Sequence, residues 1–141
     1  MSKHLDAPLN TTPYDEDELE HFKELLEQEK DETQEEIDNL KESVQDLTAP
    51  QDDEYSATTH HQGNVASEEE EKETLMKLIE RNQKKMKEIK AALDRIEKRT
   101  YGVCEDTGKK IQKERLEAIP YARYCVEARK KDDQFQEPPK V

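Results

Sequence analysis

The second half of the chain contains an unbroken seam of core-type positions, separated by alternating steps of four and three residues. Its members are Leu75, Ile79, Asn82, Met86, Ile89, Leu93 and Ile96. This spacing places them along one face of an α-helix and is typical of a coiled-coil strand. Because most helices in water depend on packing of their apolar face, a second helix must cover the seam.

A matching seam lies nearer the N-terminus. Its members are Leu19, Phe22, Leu26, Glu29, Thr33, Ile37, Leu40, Val44 and Leu47. Thr12 suits the N-cap of this helix, Pro13 its first turn and Asp15 a capping-box contact. Pro50 predicts its end, because proline disfavours a helical residue before it. Ser67 predicts the start of the second helix, again through a capping box.

The two seams have similar lengths, which predicts an antiparallel hairpin. In the register that aligns them, Leu19 meets Ile96 and Thr33 faces Asn82. A polar layer of this kind would fix the alignment of the helices at some cost in stability. Since each seam covers the other, little apolar surface is left for a second chain, and we expect a monomer.

We expect four segments along the chain. They are a flexible N-terminal arm at 1–11, a coiled-coil hairpin at 12–99 with a tip loop at 48–66, a small head at 100–135 and a flexible tail at 136–141. The predicted fold class is mainly α: a long antiparallel two-helix coiled-coil hairpin plus a small zinc-ribbon-like head with a C-terminal helix.

The charge balance narrows the classes of function. The 141 residues carry a formal net charge of −13, and 42% of them are charged. Affinity for free nucleic acid comes mostly from neutralising phosphates, so sequence-specific DNA binding is not expected. No apolar run reaches the roughly 20 residues of a membrane span. Two cysteines do not make a disulfide-rich secreted scaffold, which favours a cytoplasmic location. No Ser/His/Asp set or phosphate loop indicates an enzyme.

The head carries both cysteines of the chain, Cys104 and Cys125. A zinc ribbon needs two Cys-x2-Cys knuckles, because structural zinc takes four ligands. Here Thr107 and Ala128 occupy the second position of each knuckle, so half of the ligand set is missing. We therefore expect vestigial ligand positions without bound zinc. A disulfide between the cysteines is disfavoured in a reducing cytoplasm.

This head, placed directly after a coiled coil, resembles the DksA/TraR family of bacterial transcription regulators. The matching residues are Tyr101-Gly-Val-Cys104, Gly108-x-x-Ile111, Glu114-Arg115-Leu116-Glu117-Ala118-x-Pro120-x-Ala122 and Cys125. The resemblance covers roughly residues 15–135. It implies a protein that binds RNA polymerase through the secondary channel without reading DNA sequence, often together with the alarmone ppGpp.

The resemblance also assigns roles to positions in the hairpin. The acidic tip motif of the family, Asp-x-x-Asp-x-Ala, falls on residues 61–66, where Asn64 replaces the second aspartate and Ala66 is kept. Either a carboxylate of the same predicted loop substitutes for the missing pair, or the protein lacks the family's usual activity at the polymerase centre. The candidate carboxylates are Asp52, Asp53 and Glu54. The arginine expected to contact the rim of the polymerase channel is present as Arg81.

The head is rich in basic residues, which could contact an acidic surface or simply face solvent. Those of interest are Arg115, Arg123, Arg129 and Lys130. Among the positions that the family links to ppGpp, Arg129 is kept, whereas Glu88 and Ile119 replace the others. Reversed charge at position 88 argues against a ppGpp site, because guanosine phosphates need several cations. The alternative interpretation is a coiled-coil adaptor or stress protein that has the same fold and binds another protein.

Overall fold

The computed structural model describes residues 11–48 and 65–128. Its helices are α1 (Glu16–Thr48), α2 (Val65–Glu97) and α3 (Lys113–Ala118). α1 and α2 pack as an antiparallel hairpin beside a small head, which confirms the predicted fold class. In the part of the chain that the structure describes, no helix is both long and apolar enough to cross a membrane. The predicted tail, nearly all of the predicted arm and the segment 49–64 lie outside the described residues.

The chain divides into two compact units. The first is Met1–Glu32 with Lys84–Val141, and the second is Thr33–Gln83. The first unit therefore contains the head together with the adjoining ends of the two long helices.

α1 begins with a capping box formed by Asp15 and Glu18. The Glu18 N–H donates to the Asp15 carboxylate at 2.8 Å, and the Asp15 N–H donates to the Glu18 carboxylate at 3.1 Å. The prediction of Thr12 as N-cap is wrong. The Thr12 hydroxyl accepts a hydrogen bond from the N–H of Tyr14, while its own N–H donates to the carbonyl of Arg99 at 2.7 Å. Residues 12–14 are thus tied to the end of α2 instead of opening α1.

The first unit buries one end of each seam in a common core. Its members on α1 and α2 are Leu19, Phe22, Leu26, Ile89, Ala92 and Ile96. Ion pairs beside this core agree with the predicted register, since Glu16 pairs with Arg99 and Glu29 pairs with Lys85, each at 3.1 Å. Ala92 is fully buried, whereas the predicted seam residue Leu93 is only half-buried. A strict heptad drifts around a helix of 3.6 residues per turn, which moves the buried face onto the neighbouring position.

The second unit has a smaller core of Ile37, Leu40 and Ile79. Thr33 is buried with them, and its hydroxyl has no hydrogen-bond partner among the described residues. Asn82 is half-buried and donates to the carbonyl of Leu78 on its own helix at 2.9 Å. The predicted polar layer is therefore not joined by a hydrogen bond. α2 begins at Val65, ahead of the predicted start at Ser67.

The head folds around Tyr101, which is fully buried and donates from its hydroxyl to the carbonyl of Pro120 at 2.6 Å. The Tyr14 hydroxyl donates to the carbonyl of Ile111. Gly102 has a φ of +84°, and a Cβ added there would lie 2.6 Å from Cε2 of Tyr14. Only glycine fits this position, because both the backbone conformation and the tyrosine ring exclude a side chain.

α3 lies between the two cysteines. A 3₁₀ turn follows at residues 126–128, where the described chain ends. The predicted C-terminal helix beyond this turn lies outside the described residues.

Candidate functional site

The first knuckle of the head is a tight loop closed by backbone hydrogen bonds. Val103 and Lys110 form an antiparallel bridge. The N–H of Cys104 donates to the carbonyl of Lys109 at 2.7 Å, and the N–H of Gly108 donates to the carbonyl of Cys104 at 2.8 Å. Gly108 permits the turn with a φ of +73°. In this loop the side chain of Cys104, the first ligand position, is buried in the head.

Thr107 contacts both sulfur atoms of the head. Its N–H donates to Sγ of Cys104 at 3.4 Å, and its hydroxyl oxygen lies 3.5 Å from Sγ of Cys125. Both thiols are free and buried. Ala128 is buried in the same cluster, and its N–H donates to the carbonyl of Cys125 at 2.9 Å. The fold therefore assembles the predicted knuckle positions, although only two of them carry sulfur.

The surroundings of Cys104 favour its thiolate. Burial acts to raise the pKa of this thiol, but hydrogen bonds from Thr107 and from the backbone N–H groups of Cys125 and Asp106 outweigh it and lower the pKa. Hydrogen bonds to a charged form stabilise that form. Backbone N–H groups thus take part of the role that a cation would otherwise have at this sulfur.

The side chains at the knuckle positions do not fit a structural zinc ion. Closed zinc sites take four Cys or His ligands, with carboxylates as less common alternatives. Here Ala128 offers no donor, and the Thr107 hydroxyl accepts from the N–H of Lys109 at 3.2 Å. Across residues 11–48 and 65–128, no group of three His, Cys, Asp or Glu side chains is arranged to hold a metal ion.

An ion-pair network joins the two knuckles. Glu105, next to Cys104, donates its N–H to the carbonyl of Arg123 at 2.8 Å. Nε of Arg123 donates to the Glu105 carboxylate at 3.1 Å, and a second nitrogen donates to Glu88 of α2 at 3.1 Å. The third guanidinium nitrogen donates to the Tyr124 hydroxyl at 3.0 Å. One arginine therefore connects the first knuckle, the second knuckle and the long helix.

The network concentrates charge at a partly buried position. Burial acts to lower the pKa of Arg123, but the carboxylates of Glu88 and Glu105 outweigh it and raise the pKa. Arg95 lies 3.8 Å from Glu105, and its pKa is lowered, mainly by burial. Two guanidinium groups thus share two carboxylates, and the cluster is close to neutral.

The structure brings together some of the predicted site residues but not all. Arg115 donates from Nε to the carbonyl of Tyr124 at 2.8 Å, so both Arg115 and Arg123 contribute to the internal structure of the head. Arg81 lies half-buried on α2, and Ala66 lies in the first turn of that helix. The remaining residues lie outside the described part of the chain: Asp52, Asp53, Glu54, Asn64, Arg129 and Lys130.

Comparisons with known proteins agree with this geometry. Residues 99–134 match the family described as the prokaryotic dksA/traR C4-type zinc finger. The chain is 31% identical over 111 residues to the RNA polymerase-binding transcription factor DksA of Salmonella typhimurium, covering 79% of this chain and 68% of that protein. It is also 31% identical to the solved structure of the transcription factor DksA2 from Pseudomonas aeruginosa, with a TM-score of 0.70 over 85% of this chain and 86% of that one.

A shorter segment of the chain is similar to a stress protein. The chain is 56% identical to general stress protein 16O of Bacillus subtilis over 43 residues, which is 30% of this chain and 26% of that protein. The matches to the first three curated relatives span only about a quarter to a third of their lengths. The fold and the similarity to DksA, over 79% of this chain and 68% of that protein, define a helical-hairpin protein with a head of the zinc-finger type. The chain belongs to the DksA/TraR family.

Proposed function

We propose that this chain is a cytoplasmic, monomeric regulator of transcription that binds RNA polymerase through its secondary channel and does not read DNA sequence. The observation that carries this proposal is the 31% identity over 68% of a relative named an RNA polymerase-binding transcription factor. A net charge of −13 supports it, since such a chain is repelled by free nucleic acid and must be recruited by protein contacts. In this role the chain acts by binding rather than as an enzyme.

Arg81 is the proposed contact with the channel rim. It lies on α2, away from the core positions of the seam, and it is half-buried. An arginine suits such a contact because its planar guanidinium can pair with a carboxylate through two hydrogen bonds. The proposed tip carboxylates, Asp52, Asp53 and Glu54, would act at the polymerase active centre in place of the family's aspartate pair.

The same assignment disfavours a ppGpp site of the usual family type. Position 88 carries a carboxylate, and this carboxylate pairs with Arg123 at 3.1 Å. An incoming polyphosphate would meet like charge from Glu88 and would have to compete with it for Arg123. We therefore propose that the chain acts without this nucleotide.

A second candidate function is that of an adaptor in a stress response, with the same fold and a different protein partner. The observation that favours it is the 56% identity over 43 residues to general stress protein 16O. The replaced tip aspartates are also consistent with it, because they remove the charges that the family motif would place at an active-site metal.

Capture of polymerase from cell extract by the tagged full-length chain tests the proposal. Core RNA polymerase should be retained, and Arg81→Ala should weaken retention without lowering the melting temperature. Lys84→Ala is the matched control, because Lys84 is exposed on the same helix. Asp52→Ala with Asp53→Ala should reduce the effect on transcription while sparing binding. Retention of another protein without polymerase would favour the adaptor.

A further inference from the structure

We propose that Cys104 and Cys125 together form a two-coordinate site for a thiophilic monovalent metal ion of the Cu(I) class. This site goes beyond polymerase binding and does not depend on it. The described knuckles offer two sulfur ligands, whereas structural zinc requires four ligands. Soft thiolates bind Cu(I) as well as zinc. Cu(I) differs from zinc in that two ligands can complete its coordination.

The geometry of Thr107 places the two sulfur atoms on either side of one residue. The Thr107 N–H contacts Sγ of Cys104 at 3.4 Å, and its hydroxyl oxygen is 3.5 Å from Sγ of Cys125. Both sulfurs therefore contact the same residue, one through its backbone N–H and the other through its hydroxyl, although the cysteines are far apart in sequence. Neither is engaged in a disulfide, so both are available as ligands.

The surroundings stabilise the charge that such a site would carry. Binding displaces one proton from each thiol to solvent, which leaves two thiolates around one monovalent cation and a net charge of −1. The N–H of Thr107 already donates to Sγ of Cys104 at 3.4 Å. This donor acts as an outer-shell contact that orients the ligand.

A cavity gives Cys125 a route to solvent. It has a volume of about 260 Å³, and its walls include Cys125, Lys109 and Lys110. Glu127 also lines the cavity, and its carboxylate lies 3.8 Å from Nζ of Lys109. An ion delivered through the cavity would reach Cys125 first and then Cys104, which is only 1% exposed.

Competition with a coloured Cu(I) chelator under anaerobic, reducing conditions tests the site on the purified full-length chain. The chain should remove one Cu(I) per molecule from the chelator, and excess Zn(II) should not displace it. Cys104→Ser and Cys125→Ser should each weaken affinity by more than about 100-fold, since loss of an outer-shell partner alone costs 10- to 100-fold. Met76→Leu is the control, because it removes an exposed sulfur atom that lies in the second unit and not in the head.

X-ray absorption of the Cu(I)-loaded wild-type chain gives a readout that is independent of how the variants fold. Two sulfur neighbours around copper are expected. Failure of the wild-type chain to compete, two ions bound per chain, equal displacement by Zn(II), or a copper environment of nitrogen and oxygen would each overturn the proposal. So would a folded serine variant, verified by circular dichroism, that keeps wild-type affinity.

Discussion

Glu105 and Arg123 are joined twice, by a backbone hydrogen bond of 2.8 Å and by a side-chain hydrogen bond of 3.1 Å. These residues stand beside Cys104 and Cys125 respectively, so the contacts connect the same two loops that four zinc ligands would connect. Arg123 also binds Glu88, which anchors the pair of loops to α2. Hydrogen bonds and ion pairs between protein groups thus cross-link the two loops of the head.

Restoring the missing sulfur ligands should restore zinc binding. The double change Thr107→Cys and Ala128→Cys supplies four thiolates at positions that the fold already brings together. We expect about one zinc per chain in the double variant, with a melting temperature that falls on chelation. The wild-type chain should contain far less zinc, and a chelator should leave its melting temperature unchanged. Stoichiometric zinc in the wild type, retained through gel filtration, would show that further ligands exist.

Loss of the Glu88 carboxylate should destabilise the first unit. Side-chain exposure is 12% for Glu88 and 26% for Arg123, so Glu88→Gln breaks a largely buried charge pair. The expected loss in the free energy of unfolding by urea is about 1–2 kcal/mol. Asp94→Asn is the matched control on the same helix, because the Asp94–Lys98 pair is mostly exposed. Its effect should stay below about 0.5 kcal/mol. Equal effects of the two changes would contradict a structural role for the network.

Removal of the Thr33 hydroxyl should stabilise the second unit. This hydroxyl is buried without a partner among the described residues, and an unsatisfied buried polar group costs about 1–3 kcal/mol. Thr33→Val keeps the side-chain shape and should raise the free energy of unfolding by about 1 kcal/mol. Thr48→Val serves as control, since the exposed Thr48 hydroxyl donates to the carbonyl of Val44. Destabilisation by Thr33→Val would indicate that the hydroxyl is satisfied in solution.

Ionisation of Tyr14 should lower the stability of the first unit at alkaline pH. Burial, followed by the nearby carboxylates Glu18 and Glu114, raises the pKa of Tyr14 from 10.0 to about 12. The folded state therefore holds this proton more tightly than the unfolded state, and the resulting stability is present below pH 10 and lost as pH rises towards 12. Tyr14→Phe should lower stability at neutral pH, because the bond to the Ile111 carbonyl is lost, and should flatten its decline above pH 10. Tyr124→Phe controls for loss of a hydroxyl elsewhere in the head. An unchanged decline in Tyr14→Phe would contradict this role.

The hairpin could be predicted because its core residues recur at steps of three and four along both helices. Leu19, Phe22 and Ile89 are buried as their spacing predicts, and the pair of Glu16 with Arg99 agrees with the register. The residue that caps the start of α1 was harder to predict. Thr12 and Asp15 are both good N-cap residues, and only the tertiary contact of Thr12 with Arg99 decides between them.

The charge network of the head leaves no periodic signal in the sequence. Glu88 and Arg123 are separated by 35 positions and meet only after the head has folded onto α2. The missing zinc ligands, in contrast, could be identified directly from the sequence. A knuckle has a fixed Cys-x2-Cys spacing, and Thr107 and Ala128 stand where the second cysteine of each knuckle is required. What the sequence could not show is that the loops would still assemble around Cys104 and Cys125.

The measurement that tests the central proposal most directly is competition for purified core RNA polymerase between the full-length chain and a Gre-type factor that occupies the secondary channel. We expect the chain to bind the polymerase saturably and the channel factor to displace it, with weaker binding after Arg81→Ala. Saturable binding that the channel factor leaves unchanged, or no binding to core polymerase, would contradict the account.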